Sequence, residues 1–290
     1  MANIAFVLHH QRPEAVELVR DATKWLVERG HEVRLGIADA GHAGLGEHGC
    51  DDEELLHDLG LVISLGGDGT MLRAVDLVAD RSVPVLGINL GQLGYLTEVE
   101  PSGLRMALKR YLAGSYDIER RMRLAVTLDA PSGAGPASGT FPALNEAVVG
   151  KTPAGQVVRL RATIDGELLT TYYADGIIVA TPTGSTAYAW SAGGPIMAPT
   201  HEALLLTPVA PHTIFDRSLV LDPKSIIRLE VVGDRAATLS VDGINLGQLE
   251  AGDAVMCTAS EKDALLVTFG PRNFINILKS KFGLDEGSGK

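Results

Sequence analysis

Two loops in this sequence concentrate residues able to do chemistry. The first is Gly66-Gly67-Asp68-Gly69-Thr70, set inside LVISLGGDGTMLRAVDLVAD, residues 61–80. Glycines let backbone N–H groups approach a ligand closely, and a helix starting at such a loop turns the positive end of its dipole toward it. Both features suit a phosphate. The loop nevertheless lacks Gly-Lys-Ser/Thr, and read as G-x-G-x-x-G from Gly67 it ends on Leu72. Asp68, at its centre, has two readings. It is a helix N-cap, a position that Asp favours, or it is an acid presented to whatever approaches the glycine backbone. Thr70 can serve as the cap equally well.

The second loop lies in DGIIVATPTGSTAYAWSAGGP, residues 175–195. A strand is expected over 177–180, followed by a loop from Thr181 to Thr186 rich in hydroxyls and backbone donors, with helix from Ala187 onward. Neutral donors and acceptors at short reach suit ribose hydroxyls, amides and phosphate oxygens; the other reading is an ordinary Ser/Thr turn. Asp175 precedes the strand, where an acid can accept from a ribose or an amide. In ALNEAVVG the pair Asn145-Glu146 interrupts an apolar run, as edge residues or site residues do. In GINLGQLGYL, residues 87–96, polar and glycine positions follow a buried strand. Open α/β sheets bind ligands at that edge. Tyr95 there either walls a pocket for a planar ring or packs in the core. His9 and His10 follow the first strand, and no Ser-His-Asp or metal-ligand spacing is present.

The elements that position these loops fall into two textures. Over roughly the first 115 residues strand and helix patterns alternate, which argues for parallel strands with helices on their faces. A strand at 4–8 is followed by a helix with Pro13 in its first turn and Gly30 past its end. The Gly-, Ala- and His-rich residues 36–50 read as a mobile loop. After the glycine loop, Leu72, Val75, Val78 and Ala79 share one helical face. From Arg121 to Gly270 strands and turns dominate, with hairpins expected at Asp165-Gly166 and Asp242-Gly243. The last segment returns to helical periodicity. The expected division is an α/β domain, 1–118 with 271–290, and a β-rich domain, 119–270, with the active site in a cleft between them.

Composition narrows the function. Glycine is 33 of 290 residues, well above the roughly 7% of an average chain, so many turns or close backbone approaches are expected. The net charge of −11 and 5% aromatic content argue against nucleic acid as a partner. Cys50 and Cys257 are far apart and outside metal spacing, which fits a reducing compartment. The N-terminus has no basic leader, and no stretch approaches the ~20 apolar residues of a membrane span. A soluble cytoplasmic protein with no membrane partner is expected.

LGGDGTMLR, INLGQLGYL, LNEAVV, ADGIIVATPTGSTAYAWSAGGP and APHTIFDR stand here in the order found in the NAD kinase (ATP-NAD kinase) family, which the chain resembles over about residues 60–220. The strand–helix pattern extends the likeness to nearly the whole chain. GGDGT alone is also similar to a motif of lipid kinases and 6-phosphofructokinases; TPTGSTAY with the upstream Asp-Gly and Asn-Glu pairs is more specific. The resemblance implies a Rossmann-like parallel sheet in the first domain and a mostly β second domain. It implies transfer of the terminal phosphate of ATP to the 2′-hydroxyl of the adenosine ribose of NAD, giving NADP. Asp68 then looks like the proton acceptor and a ribose contact, with Gly69 and Arg73 as neighbours in the NAD site and Gly66, Gly67 and Thr70 as the phosphate-donor loop. Asn145, Glu146, Asp175, Thr186, Ala187, Tyr188 and Ser191 look like the rest of the NAD pocket. A divalent ion bound with ATP, usually Mg2+, and a homodimer or homotetramer are implied as well; no metal ligand is carried over. The chain departs from the family at Tyr95, where Phe is frequent, at Ser218, where Pro is common, and at Ile244, where some members have a polar contact. Two alternatives share these motifs: a lipid or sphingoid-base kinase, which needs an apolar slot, and a non-catalytic NAD sensor.

Overall fold

The computed structural model describes residues 1–91, 94–133, 138–152, 156–271 and 273–284. The chain divides into two compact units, 1–120 with 264–290, and 121–263.

The first unit alternates strand and helix: β1 (Asn3–Leu8), α1 (Pro13–Val27), β2 (Glu32–Gly36), α2 (Ile37–Ala43), β3 (Gly49–Cys50), α3 (Asp52–Leu56), β4 (Leu61–Gly66), α4 (Asp68–Leu77), β5 (Val85–Asn89), α5 (Leu104–Leu112) and β6 (Asp117–Arg121). The sheet runs β3-β2-β1-β4-β5, continued by Ala264–Thr268 and then β6. Pairing is parallel from β3 through β5 and between β5 and Ala264–Thr268. Every residue of β4 is buried, and so are five of the six in β1. Such near-continuous apolar runs are what parallel strands covered on both faces require. Ile4, Phe6, Leu8, Leu61, Ile63 and Leu65 form the centre of the core, against which α1 packs Ala15, Val19 and Leu26.

Two expectations fail in detail. Residues 37–43 form α2 rather than a mobile loop. Asp39, Ala40 and Ala43 are buried on the helix, and Gly44 ends it at φ +65°. In α4 the buried face carries Thr70, Met71, Ala74 and Val75, while Leu72 is only half-buried. The helix ends at Leu77, so Val78 and Ala79, both buried, lie beyond it.

The second unit holds β7 (Leu124–Asp129), β8 (Gly139–Ala143), β9 (Glu146–Lys151), β10 (Val158–Ile164), β11 (Glu167–Ala174), β12 (Gly176–Ala180), α6 (Tyr188–Ser191), β13 (Leu204–Val209), β14 (Leu219–Leu221), β15 (Ile227–Val231), β16 (Ala237–Val241), β17 (Ile244–Leu249) and β18 (Ala254–Ala259). They form two six-stranded sheets, β11-β10-β15-β18-β7-β8 and β14-β13-β12-β9-β16-β17, with antiparallel neighbours throughout. Side chains of both sheets share one core, among them Leu160, Tyr172, Ile177, Val179 and Leu239. Both Asp-Gly turns are present, at φ +53° and +86° for Asp165-Gly166 and +46° and +80° for Asp242-Gly243. Paired positive φ is the type I′ geometry that matches strand twist. Strand β12 is buried on both faces: Ile177 and Val179 face the shared core, while Ile178 and Ala180 pack with Ala189 and Met197. The first unit closes with β19 (Ala264–Thr268) and α7 (Phe274–Phe282). None of the described helices is long and apolar enough to cross a membrane.

Candidate active site

In the first unit β1 and β4 are neighbours, but the chain leaves β1 toward β2 and leaves β4 toward β5, on the opposite side. Loops at such a reversal of strand order diverge and open a crevice. A cavity of about 440 Å3 is lined there by His9, His10, Gln11, Arg12, Gly67, Gly69, Thr70 and Arg73. Gly66 ends β4 with Thr70 packed against it; a Cβ at Gly66 would lie 2.1 Å from Thr70 Oγ1. Close approach is thus the reason for glycine at that position.

The cap reading of Asp68 does not hold. Gly67 is the N-cap of α4 and Asp68 is its first helical residue. The Asp68 carboxylate accepts the N–H of Tyr95 at 2.9 Å on Oδ2 and that of Leu96 at 3.0 Å on Oδ1. Gly94 makes room for it, because a Cβ there would lie 2.2 Å from Asp68 Oδ1. The carboxylate is therefore oriented by the segment after β5. Each oxygen still has a lone pair with which to accept from a ligand hydroxyl. Tyr95 is half-buried. Burial, then the charge of Asp68, pushes its phenol pKa up. Lys281 Nζ lies 5.3 Å from its ring centroid.

In the second unit the Asn145-Glu146 pair sits where β9 begins, with Glu146 paired to Ala180 at the end of β12. Two elements clamp it. Asp242, in the turn between β16 and β17, accepts three consecutive backbone N–H groups, from Leu144 at 2.7 Å, Asn145 at 2.8 Å and Glu146 at 3.0 Å. From the other side Thr181 donates its hydroxyl to Leu144 O at 2.5 Å and its N–H to Asn145 O at 2.9 Å. A Cβ at Gly184 would come within 2.1 Å of that same Asn145 oxygen.

Glu146 is buried. Desolvation, followed by the charge of Asp242, pushes its carboxyl up to about 8, against a favourable bond from the Tyr188 backbone. Its Oε2 has no hydrogen-bond partner among the described residues. A buried polar atom without a partner is uncommon and calls for a ligand, a water or a proton.

Of the two readings of the hydroxyl-rich loop, the Ser/Thr turn describes Thr181, Thr183 and Ser185. Thr181, Thr183 and Ser185 are buried. Thr181 bonds Leu144 and Gly184, Thr183 accepts from Arg121 at 3.2 Å, and Ser185 ties Pro182 to Met197. Thr186 Oγ1 donates to Thr183 O at 3.2 Å. These hydroxyls brace the loop, because a tight turn buried beside β12 leaves backbone groups that need partners. The groups turned outward are those after it. Thr186 and Ala187 are half-buried, and Tyr188 and Ser191 are exposed at the start and end of α6.

Asp175 forms an ion pair with Lys151 at 2.9 Å, and both line a cavity of about 310 Å3 with Gly150, Tyr188, Thr238 and Ser240. Gly66, Gly67, Asp68, Gly69, Thr70 and Arg73 thus lie together on the end of β4 and the start of α4 in the first unit; in the second, Asp175 and Tyr188 share a cavity at one end of the β9–β12 pair, Asn145 and Glu146 lie at the other end beside the loop that leads to Thr186 and Ala187, and Ser191 ends α6. Sequence reasoning missed Asp242 and Lys151 as partners of these residues, and Arg12 as a cation beside the glycine loop. Asp242 carried a signal, an acid in a turn that must pair with something, but nothing in the sequence says with what. Among the described residues no three His, Cys, Asp or Glu side chains gather into a metal-sized group.

The model of the ATP-NAD kinase N-terminal domain matches residues 4–116, and that of the ATP-NAD kinase C-terminal domain matches residues 144–269. The chain belongs to the NAD kinase family. It is 41% identical to an NAD kinase of Heliobacterium modesticaldum over 97% of this chain and 98% of that one. To an NAD kinase of Moorella thermoacetica it is 40% identical, over 100% and 91%. Among solved structures, the yeast NADH kinase complexed with NADH superposes with a TM-score of 0.89 at 26% identity, covering 99% of this chain and 89% of that one. An Archaeoglobus fulgidus NAD kinase in complex with ATP gives 0.73 at 27% identity, covering 96% and 98%. The order of α/β unit and β-rich unit is thus the order of this family's two domains, and the chain is an ATP-dependent kinase of the NAD kinase family.

Proposed function

We propose that this NAD kinase family member transfers the terminal phosphate of ATP to the 2′-hydroxyl of the adenosine ribose of NAD, giving NADP. The observation that carries the mechanistic reading is the setting of Asp68. Its carboxylate is held by two backbone N–H groups, between two glycines, Gly67 and Gly69, that line the cation-lined cavity, and it is not used as a cap. In this reading Asp68 accepts a hydrogen bond from the ribose hydroxyl, fixes its direction and takes its proton as the new P–O bond forms and the bond from the γ-phosphorus to the β,γ-bridging oxygen breaks, releasing ADP. Phosphoryl transfer has a loose transition state in most analyses, so positioning and charge neutralisation carry most of the rate. Gly66, Gly67 and Thr70 shape the donor loop, with the N-terminus of α4 facing the phosphates. Gly69 and Arg73 flank the acceptor. Asn145, Glu146, Asp175, Thr186, Ala187, Tyr188 and Ser191 bind the dinucleotide.

Mg2+ arrives with ATP as part of the substrate; such an ion needs only one or two protein carboxylates beside the phosphates, which suits a chain whose described acids form no metal cluster. A cytoplasmic setting and a homodimer or homotetramer belong to the same reading.

The test is direct: purified protein, MgATP and NAD, with NADP measured enzymatically. NADP formation supports the reading. Absence of NADP with tight NAD binding would favour a sensor, and phosphorylation of a sphingoid base in place of NAD would favour a lipid kinase.

A further inference from the structure

The Asp68 carboxylate has a polar neighbour besides its two backbone donors. Thr97, on the segment after β5, is 1% exposed, and its Oγ1 has no hydrogen-bond partner among the described residues. The side chain is wedged against β5. A Cβ at Gly87 would meet Thr97 Cα and Cγ2 at 3.1 Å and the sulfur of Met71, on α4, at 3.2 Å. Gly94 shows what the hydroxyl faces. A Cβ there would lie 2.2 Å from Asp68 Oδ1 and 2.7 Å from Thr97 Oγ1. Both oxygens therefore border one point, within reach of each other directly or through a single water. A buried hydroxyl without a partner is destabilising, and Val would fill the same space without that cost. The hydroxyl at this position thus asks for a role.

The bonds from Tyr95 and Leu96 hold Asp68 by N–H groups alone. An N–H can only donate, which suits a carboxylate but leaves the O–H of a protonated acid without an acceptor. A base that takes a proton gains from a neighbour that serves both forms. A hydroxyl does so, because it donates to the carboxylate and accepts from the acid. We propose that Thr97 is a positioning residue for Asp68: its hydroxyl bonds Oδ1, donating while the carboxylate faces the ribose hydroxyl and turning to accept once Asp68 carries the proton. The inference rests on the role given to Asp68 above. Thr97 touches neither substrate in this arrangement, so its signature lies in kcat and not in either KM.

The experiment is steady-state kinetics and melting of the full chain carrying Thr97→Val, which keeps the shape and removes the hydroxyl. The kcat for NADP formation should fall roughly tenfold, the scale of one charge-assisted hydrogen bond, while both KM values stay within about twofold. Thr97→Ser, which keeps the hydroxyl, should bring kcat back to within about threefold of wild type, and Thr97→Ala should not. A normal kcat in the Val variant, or a Ser variant as slow as Val, would overturn the proposal. So would a raised KM with kcat unchanged. Melting supplies a readout that needs no turnover. If the hydroxyl bonds the carboxylate, Thr97→Val lowers Tm in the native background and does not in an Asp68→Ala background, where the partner is gone. If the hydroxyl is an isolated buried group, Val raises Tm equally in both backgrounds, and the proposal fails. The same cycle separates this proposal from the proposed reaction. If the wild type makes no NADP, a Tm effect that depends on Asp68 still supports the bond, and equal effects in the two backgrounds overturn it.

Discussion

Replacing Asp68 with Asn conserves shape and removes charge, and its two consequences can be separated. The carboxylate accepts two backbone N–H groups, from Tyr95 and Leu96. An amide has one acceptor oxygen and two donor hydrogens, so one of those N–H groups would face an NH2. Losing one charge-assisted bond costs about 1.5–3 kcal/mol, which a thermal melt would register as a lower Tm. The chemical consequence is larger. General-base assistance contributes roughly 10²–10⁴ in rate, equivalent to about 3–5.5 kcal/mol of barrier. Expected for Asp68→Asn are therefore a folded protein with a modestly lower Tm and a kcat reduced by at least about 100-fold. Gly94→Ala supplies the control that keeps the charge. Its Cβ would lie 2.2 Å from Asp68 Oδ1, so it displaces the carboxylate without deleting it, and kcat should again fall. The assay is NADP formation from MgATP and NAD beside a melt of each variant. Wild-type turnover in Asp68→Asn, with the lower Tm, would refute the reasoning: the acid would then be a tie for residues 94–96 and no base.

Glu146 gives a pH prediction. Its carboxyl is raised from 4.5 to about 8, so between those values the folded chain holds a proton that the unfolded chain has released, and stability falls as pH rises. Glu146→Gln removes that dependence; its Tm relative to wild type should climb from about pH 4.5 to about pH 8 and level off above it, and a flat difference would contradict the assignment. Asp242→Asn should destabilise the protein by about 2 kcal/mol or more, because three N–H groups share its carboxylate. It should also bring the Glu146 carboxyl closer to its ordinary value, seen by NMR titration. Asn145→Ala should raise the KM for NAD more than that for ATP; the reverse would move Asn145 to the donor.

Local sequence settles what local chemistry controls. The apolar runs 4–8 and 61–65, with helical patterns after them, were enough for a parallel α/β unit, because period and burial are written into residue order. The two Asp-Gly turns were equally legible, since positive φ at both centres selects those residues. The glycine loop and the hydroxyl loop stood out by composition, and the family resemblance assigned them roles.

Tertiary structure decided where each polar group points. Whether Asp68 caps α4 depends on Tyr95 and Leu96, more than 25 residues on, and a propensity cannot know that a distant N–H will arrive. The hydroxyls from Thr181 to Ser185 looked available for a ligand, but packing beside the doubly buried β12 turned them inward to serve the loop's own backbone. Residues 36–50 read as a mobile loop until the sheet buried Asp39, Ala40 and Ala43 on one helical turn. In each case the residue type set which bonds were possible, and only long-range packing, which excludes water and brings the partner, determined which bond formed.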